Sequence, residues 1–276
     1  MRYISANVAM PSGFRRTCYG PLLFCFLATL PAAAWAFQPL VTDDTGTQGA
    51  GGNQIEVAYN RTTDRAPGAR VTTHEVPLVF TRGITDALDF YVGLARQKIV
   101  PDAPAAVERG WGNTAVGAKW RFYDNDASKL SFALKPEILF PVSDNREARG
   151  LGTARTSYGV GLLMTQETGF GAVHANLVAD RVNYADAALN AAERRTTYRL
   201  SVAPVWDVTA EWKLAFDAGL VTNPDRAARA RMGYVEIGAI YSPDKNLDLA
   251  FGVIRSIMDG SANTLQATVG LTWRFR

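Results

Sequence analysis

Only two histidines, His74 and His174, occur in 276 residues, and they limit the acid–base chemistry available. A Ser-His-acid centre needs a hydroxyl within hydrogen-bond reach of an imidazole. If the neighbouring segments run as strands, the residues sharing a face with His74 are Tyr59, Arg61, Leu94 and Arg96, with no serine among them. His174 has the opposite parity and stands beside Asn176. A His–Asp centre in the loops would draw on Asp144, Asp186 or Asp225, yet neither histidine falls in a loop. No nucleophile elbow, metal-ligand spacing or phosphate loop occurs. Gly49-Ala50-Gly51-Gly52 is glycine-rich but follows no strand. Both cysteines, Cys18 and Cys25, lie in the first 36 residues, so residues 37–276 hold no thiol for a disulfide, a zinc site or a nucleophile. The expectation is a chain without catalytic, cofactor-binding or metal-binding residues.

The remaining polar chemistry is charge, placed at every second residue. Glu56, Glu75, Asp89, Glu137, Asp180, Asp207, Glu211, Asp217, Glu236 and Asp248 share one parity of their segments. Lys119, Arg121, Lys135, Arg199, Lys213 and Arg274 share it too, with Tyr91, Tyr123 and Tyr234. The other parity is apolar. Between Thr264 and Phe275 it reads Leu265, Ala267, Val269, Leu271, Trp273 and Phe275, against Thr264, Gln266, Thr268, Gly270, Thr272 and Arg274. Period 2 marks strands with one greasy and one polar face.

Twelve such segments recur, at 53–62, 72–82, 88–98, 112–123, 129–141, 156–166, 171–184, 195–208, 211–222, 230–241, 247–257 and 263–275. Each is about as long as a tilted strand crossing a bilayer (~9–11 residues) or slightly longer. Links alternate. Short ones cover 83–87, 124–128, 167–170, 209–210 and 242–246, and longer ones 63–71, 99–111, 142–155, 185–194 and 223–229. Only the last link, 258–262, breaks the order. Short periplasmic turns and long outer loops give this alternation in an antiparallel up-and-down transmembrane β-barrel. A closed barrel also leaves no strand edge unpaired in hydrocarbon. Large aromatics of the greasy parity (Phe80, Trp120, Phe122, Phe132, Trp206, Trp212, Tyr241, Trp273, Phe275) gather near the short turns, as an interfacial girdle would. Arg61, Arg96, Arg181, Arg231 and Arg255 share the greasy parity but fall at the long-loop ends. They form either a collar for phosphates of outer-leaflet lipopolysaccharide or charges tolerated at the rim.

The first 36 residues carry Arg15-Arg16, an apolar run from Tyr19 to Leu30, Pro31 and Ala34-Trp35-Ala36, the pattern of a cleaved secretory signal peptide. The expected organisation is a signal at 1–36, a periplasmic lead at 37–52 able to act as a plug, and an outer-membrane barrel at 53–276. With three of the 29 basic residues in the signal, 37–276 balances 26 bases against 26 acids, and nothing points to nucleic acid.

With the greasy face outward, the polar face lines a lumen. The lining would include Glu56, Glu75, Asp89, Tyr91, Lys119, Arg121, Lys135, Glu137, Arg199, Lys213, Asp217, Glu236 and Arg274. Twelve strands lie between a filled eight-strand barrel and the open channel of sixteen. Gly93, Gly117, Gly159, Gly161, Gly219, Gly238 and Gly252 leave room inside. Sequence alone leaves ten strands open as an alternative, and leaves open whether the lumen conducts.

The stretch Phe37-Gln38-Pro39-Leu40-Val41-Thr42-Asp43-Asp44-Thr45-Gly46-Thr47, then Gln54-Ile55-Glu56-Val57, resembles the start of the "meta-pathway of phenol degradation" family of outer-membrane proteins. There Pro-Leu-x-Thr-Asp-Asp precedes the first strand. Gly117-Ala118-Lys119-Trp120-Arg121-Phe122 and the closing Trp-Arg-Phe continue the similarity across the chain. The final aromatic resembles the signal read by barrel-assembly machinery, with Arg276 added after it. The resemblance implies a transporter-like barrel linked to uptake of aromatic compounds, with lipid, the assembly machinery and a small solute as partners. Of the family's residues, Thr42, Asp43 and Asp44 carry over. Either they pin the lead at the periplasmic mouth, or the lead enters the lumen as a gate, with Asp43 and Asp44 pairing with Lys119, Arg121 or Arg274. The expected role is passive passage of small solutes, the alternative a non-conducting structural or ligand-binding barrel.

Overall fold

The computed structural model describes residues 39–66, 69–102, 106–258 and 263–276. The export signal read at 1–36, with both cysteines, lies outside the described residues, as do Phe37 and Gln38.

Among the described residues the alternating segments form thirteen strands. These are β1 (Asn53–Ala66), β2 (Ala69–Thr85), β3 (Leu88–Pro101), β4 (Glu108–Trp111), β5 (Thr114–Asn125), β6 (Leu130–Phe140), β7 (Ser157–Thr168), β8 (Gly171–Arg181), β9 (Thr196–Asp207), β10 (Trp212–Val221), β11 (Met232–Asp244), β12 (Leu247–Ile257) and β13 (Asn263–Phe275). All neighbours are antiparallel and consecutive around the wall. β1 closes the ring against β13 from Asn53↔Phe275 to Arg65↔Asn263. Because β4 and β5 both pair with β3, they act as one interrupted stave, and the barrel has twelve. The break falls at Gly112 and Asn113, whose side chain bonds Phe140 and Thr153 instead of continuing the ladder.

Burial fixes which face is which. Leu177, Leu200 and Val269, in the middle of their strands, are 51%, 57% and 52% exposed, whereas Asp89, Arg199, Asp217 and Glu236 are at most 4% exposed. A water-soluble sheet would bury the leucines and expose the carboxylates. This inversion belongs to a barrel whose solvent outside is hydrocarbon. At the short-turn end the aromatics touch in series: Trp120 with Phe122, Phe170 with Trp206, Trp212 with Tyr241 and Trp273 with Phe275, at 4.6 to 5.8 Å between centroids.

Two details depart from the strict alternation. Tyr123, of inward parity, lies 41% exposed beside Phe132. The register slips between Arg121 and Tyr123, and this bulge turns the next side chain outward. The first long link is also mostly strand, since β1 and β2 stay paired out to Ala66↔Ala69.

Two outer loops instead fold into short helices, α1 (Asp144–Ala148) and α2 (Ala187–Ala192), capped by Ser143 and Asp186. Leu151, after α1, is fully buried against Val71 and Ile99 at the ends of β2 and β3. Glu147, also buried, accepts hydrogen bonds from the backbone N–H of Ala154 (2.6 Å), Ala185 (2.9 Å) and Asp186 (2.8 Å), so one carboxylate ties two loops together. Hydrogen bonds to a charged group contribute about 1.5–3 kcal/mol each. Glu147→Ala is therefore expected to speed hydrogen exchange at Ala185 and Asp186 by at least about tenfold while exchange within β7 and β8 is unchanged.

Candidate functional site

Residues 39–52 do not stop at the rim. They cross the interior from one wall to the opposite one. Pro39 lies against glycines of β11 and β12: a Cβ placed on Gly238 would come within 2.6 Å of its ring, and one on Gly252 within 2.8 Å. Leu40 is buried with Ala203 and Val205 of β9 and Ala215 of β10. Small residues at these inward positions leave the space that the lead fills.

Next the lead turns polar, and the side chains of Thr42, Asp43, Asp44 and Thr45 all find partners. Thr42, fully buried, donates its N–H to Asp217 at 2.6 Å, and its hydroxyl lies 2.8 Å from the same carboxylate and 2.7 Å from Ser201. The Tyr234 hydroxyl donates to the same Asp217 oxygen as the Thr42 hydroxyl, Oδ1, at 3.0 Å. Asp43 is bridged by two cations, Lys119 of β5 at 3.0 Å and Lys135 of β6 at 2.6 Å. Asn176 of β8, in the amide orientation that satisfies both its ends, accepts from the Asp43 N–H at 2.6 Å and donates to its carbonyl at 3.0 Å. Burial alone would push the Asp43 carboxyl up, but Lys119 and Lys135 outweigh it and hold it below its ordinary 3.8. Asp44 lies 3.5 Å from Lys119 and accepts from the Gly46 N–H.

The lead then descends. Thr45 bonds Ser131 and Thr165, and the Gln48 N–H donates to Asp89 at 3.0 Å. Ala50 donates to Asp86 in the β2–β3 turn. At the rim the Gly51 N–H donates to the Gly83 carbonyl and the Gly83 N–H to the Gly52 carbonyl, and Gly49, with φ 70°, takes the left-handed turn that leads into β1.

The inward residues fall into three levels. At the turn end, Arg274 donates to Asp248 (2.7 Å) and Gln54 (3.0 Å), Arg121 pairs with Asp124 (3.3 Å), and Lys213 pairs with Asp207. In the middle, Asp43 joins Lys119 and Lys135. Beyond it, Tyr91 donates to Glu137 at 3.0 Å, and Arg199 interacts with Glu137, Asp180 and Asp217. Glu236 is buried beside Gly252. Further out, Gln97 and Asn60 donate to Glu75. Of the three lead partners named from sequence, only Lys119 is met. Arg121 and Arg274 are held at the rim by acids of their own, and Lys135 takes their place.

A cavity of about 1010 Å³ lies between the lead and the wall of β1, β2 and β13. It is bounded by Asp43, Glu56, Asp89, Tyr91, Lys119 and Lys135 within, and reaches Lys245, Arg274 and Arg276 at the turn end. The histidines stand apart on opposite faces: His174 meets Thr165 at 2.9 Å inside, and His74 meets Tyr59 at 2.6 Å outside. Among the described residues no group of His, Cys, Asp or Glu is arranged to hold a metal. Arg61, Arg96, Arg181, Arg231 and Arg255 are exposed toward the outer-loop ends of their strands, with Arg96 5.6 Å from the Trp111 ring centre.

The contact of Pro39 with bare glycine is testable. Overfilling a packed contact costs about 1–3 kcal/mol. Gly252→Val is expected to loosen the front of the lead, so that the Thr42 amide exchanges about tenfold faster while the β12 amides keep their protection.

Solved outer-membrane barrels share this architecture. The crystal structure of the COG4313 outer membrane channel from Pseudomonas putida F1 superposes with a TM-score of 0.69 at 16% identity, covering 84% of this chain and 98% of that one. The NanC porin gives 0.55 at 10% identity, with coverages of 79% and 98%. The KdgM porin in complex with disordered oligogalacturonate gives 0.54 at 11%, with coverages of 81% and 99%. At such identities the likeness is one of fold. No curated protein matches the sequence. A family model described as "Putative MetA-pathway of phenol degradation" matches residues 39–275, from the first described residue of the lead to the last residue of β13, and the chain belongs to that family.

Proposed function

We propose that this protein is an outer-membrane channel for passive passage of small solutes, aromatic compounds among them, and that residues 39–48 close it. One observation carries the reading. A polar strap crosses a charged lumen and is held by side chains of β5, β6, β9 and β10, with a sizeable cavity left beside it. A segment whose only task was to join a signal to β1 would have no use for a buried Thr42–Asp217 pair and a doubly bridged Asp43. With the signal at 1–36 removed, as the reading has it, the strap would be joined to the wall through Gly49–Gly52, whose glycines give it a hinge, so it could leave without disturbing the wall.

The passage needs no energy source, and Coulombic selection by the lumen charges sets what enters. On the outside, Arg61, Arg96, Arg181, Arg231 and Arg255 would meet lipopolysaccharide phosphates through bidentate guanidinium bonds. Export by a cleaved signal at 1–36 and insertion by barrel-assembly machinery complete the reading. A second reading, a barrel permanently plugged by the lead, is favoured by how fully the lead's polar groups are paired. Planar-bilayer recording of the refolded protein separates the two. Discrete openings support a gated passage, and a folded, heat-resistant but silent barrel supports the plug.

A further inference from the structure

The position occupied by Asp43 has the makings of a binding site of its own. Lys119 and Lys135 come from neighbouring strands and reach opposite oxygens of one carboxylate, at 3.0 and 2.6 Å. Both are largely shielded, with side chains 15% and 13% exposed. Lys135 also lies 5.0 Å from the centre of the Tyr91 ring, and the Tyr91 hydroxyl is fixed by Glu137 at 3.0 Å. Asp43, Lys119, Lys135 and Tyr91 border the cavity beside the lead, whose volume is at the upper end of that of small-ligand pockets (~300–1,000 Å³). Two cations, an aromatic face and an adjoining space are what a ring-bearing carboxylate needs.

Charge balance gives the site a consequence. If the lead leaves alone, two shielded ammonium groups lose the anion that bridges them and keep only the weaker pull of wall carboxylates such as Glu56 and Glu137, and loss of a close partner by a buried charge is unfavourable. If a solute carboxylate takes over both lysines, the loss is offset. A neutral solute offers no such exchange.

We propose that Lys119, Lys135 and Tyr91 form a binding site for aromatic carboxylates, and that Asp43 is its built-in competitor, so that the solute's own carboxylate releases the lead. This rests on the channel reading, and the experiment separates their failures. Planar-bilayer open fraction is recorded against benzoate and against phenol at constant chloride. In parallel, benzoate binding to the detergent-solubilised barrel is measured by calorimetry for the wild type, Asp43→Ala and the double variant Lys119→Gln/Lys135→Gln. Folding of each variant is checked by heat-modifiable migration.

Benzoate should raise the wild-type open fraction in a saturable way, at least tenfold above the response to equal phenol. Asp43→Ala should bind benzoate at least tenfold more tightly than the wild type, and the double lysine variant should not bind it. Equal responses to benzoate and phenol, or benzoate binding that survives loss of both lysines, would overturn the site. An Asp43→Ala barrel that opens but binds benzoate no more tightly would overturn the competition and leave the channel standing. A barrel silent in every state would overturn the channel reading, and the calorimetric comparison would still decide the site.

Discussion

Asp43→Lys is expected to leave the barrel folded and to raise its open fraction about a hundredfold. The substitution sets a third cation where Lys119 and Lys135 already converge. Breaking a buried ion pair costs about 3–5 kcal/mol, and the low end applies here because the lysines keep some solvent access. At 1.4 kcal/mol per tenfold, 3 kcal/mol is slightly more than a hundredfold in the balance between docked and free lead. Asp44→Lys is the control. Asp44 lies 3.5 Å from Lys119 alone and its side chain is 23% exposed against 8% for Asp43, so the change should be at least about tenfold smaller than that of Asp43→Lys. Equal effects of the two variants would mean that net charge in the lumen, rather than the Asp43 bridge, decides opening.

Acid should act on the same bridge. The docked Asp43 carboxyl is held below its ordinary 3.8, and a freed lead returns it toward that value. The docked state therefore binds protons less readily, and its advantage is fully present above 3.8 and is lost as pH falls through the lower docked value. Wild-type open fraction should stay flat between pH 7 and 5 in this respect, whereas Asp43→Lys should be open throughout that range.

Val269→Arg is expected to destabilise the barrel in lipid by about 2–4 kcal/mol, against about 0–1 kcal/mol for Leu265→Arg. Both side chains lie on the same outward face of β13, 52% and 45% exposed. They differ in depth. Val269 is the middle residue of Asn263–Phe275, while Leu265 is near the outer loops and pairs with Arg255, which already carries a guanidinium there. Urea titration of the refolded proteins in vesicles reads the difference. Equal losses would show that depth in a hydrocarbon layer does not govern this face, contrary to the fold's placement in a membrane.

The wall was legible because a barrel strand obeys a local rule. Each residue's face follows from its parity, so Leu265 through Phe275 and Trp212 through Leu220 could be oriented without knowing their neighbours. The rule fails where the ladder slips, and Phe122, the extra residue of a bulge, sends Tyr123 outward. Motif resemblance marked Thr42, Asp43 and Asp44, and parity marked Lys119, Lys135 and Asp217 as inward, so most members of the site were visible singly. Their pairing was not. Which wall the lead leans on depends on where small residues gather on adjacent strands, with Gly238 and Gly252 facing Pro39 and Ala203 and Ala215 facing Leu40. That match joins the lead to β9–β12, far from it in sequence. Arg121 and Arg274 were equally plausible partners until Asp124 and Asp248 proved to be nearer to them. The cross-loop role of Glu147 was invisible for the same reason, since its partners lie about 40 residues away.

The lead can be locked in place chemically. The hydroxyl oxygens of Thr42 and Ser201 are 2.7 Å apart, so the two side chains point at each other as a cross-link requires, and residues 37–276 contain no cysteine to interfere. The measurement is the single-channel conductance of Thr42→Cys/Ser201→Cys, oxidised and then reduced in the same bilayer. If the lead closes the passage, the oxidised barrel is silent and wild-type openings return on reduction and vanish again on reoxidation. The same conductance with the disulfide formed and broken would show that solutes pass without moving the lead, and that residues 39–48 are not the gate.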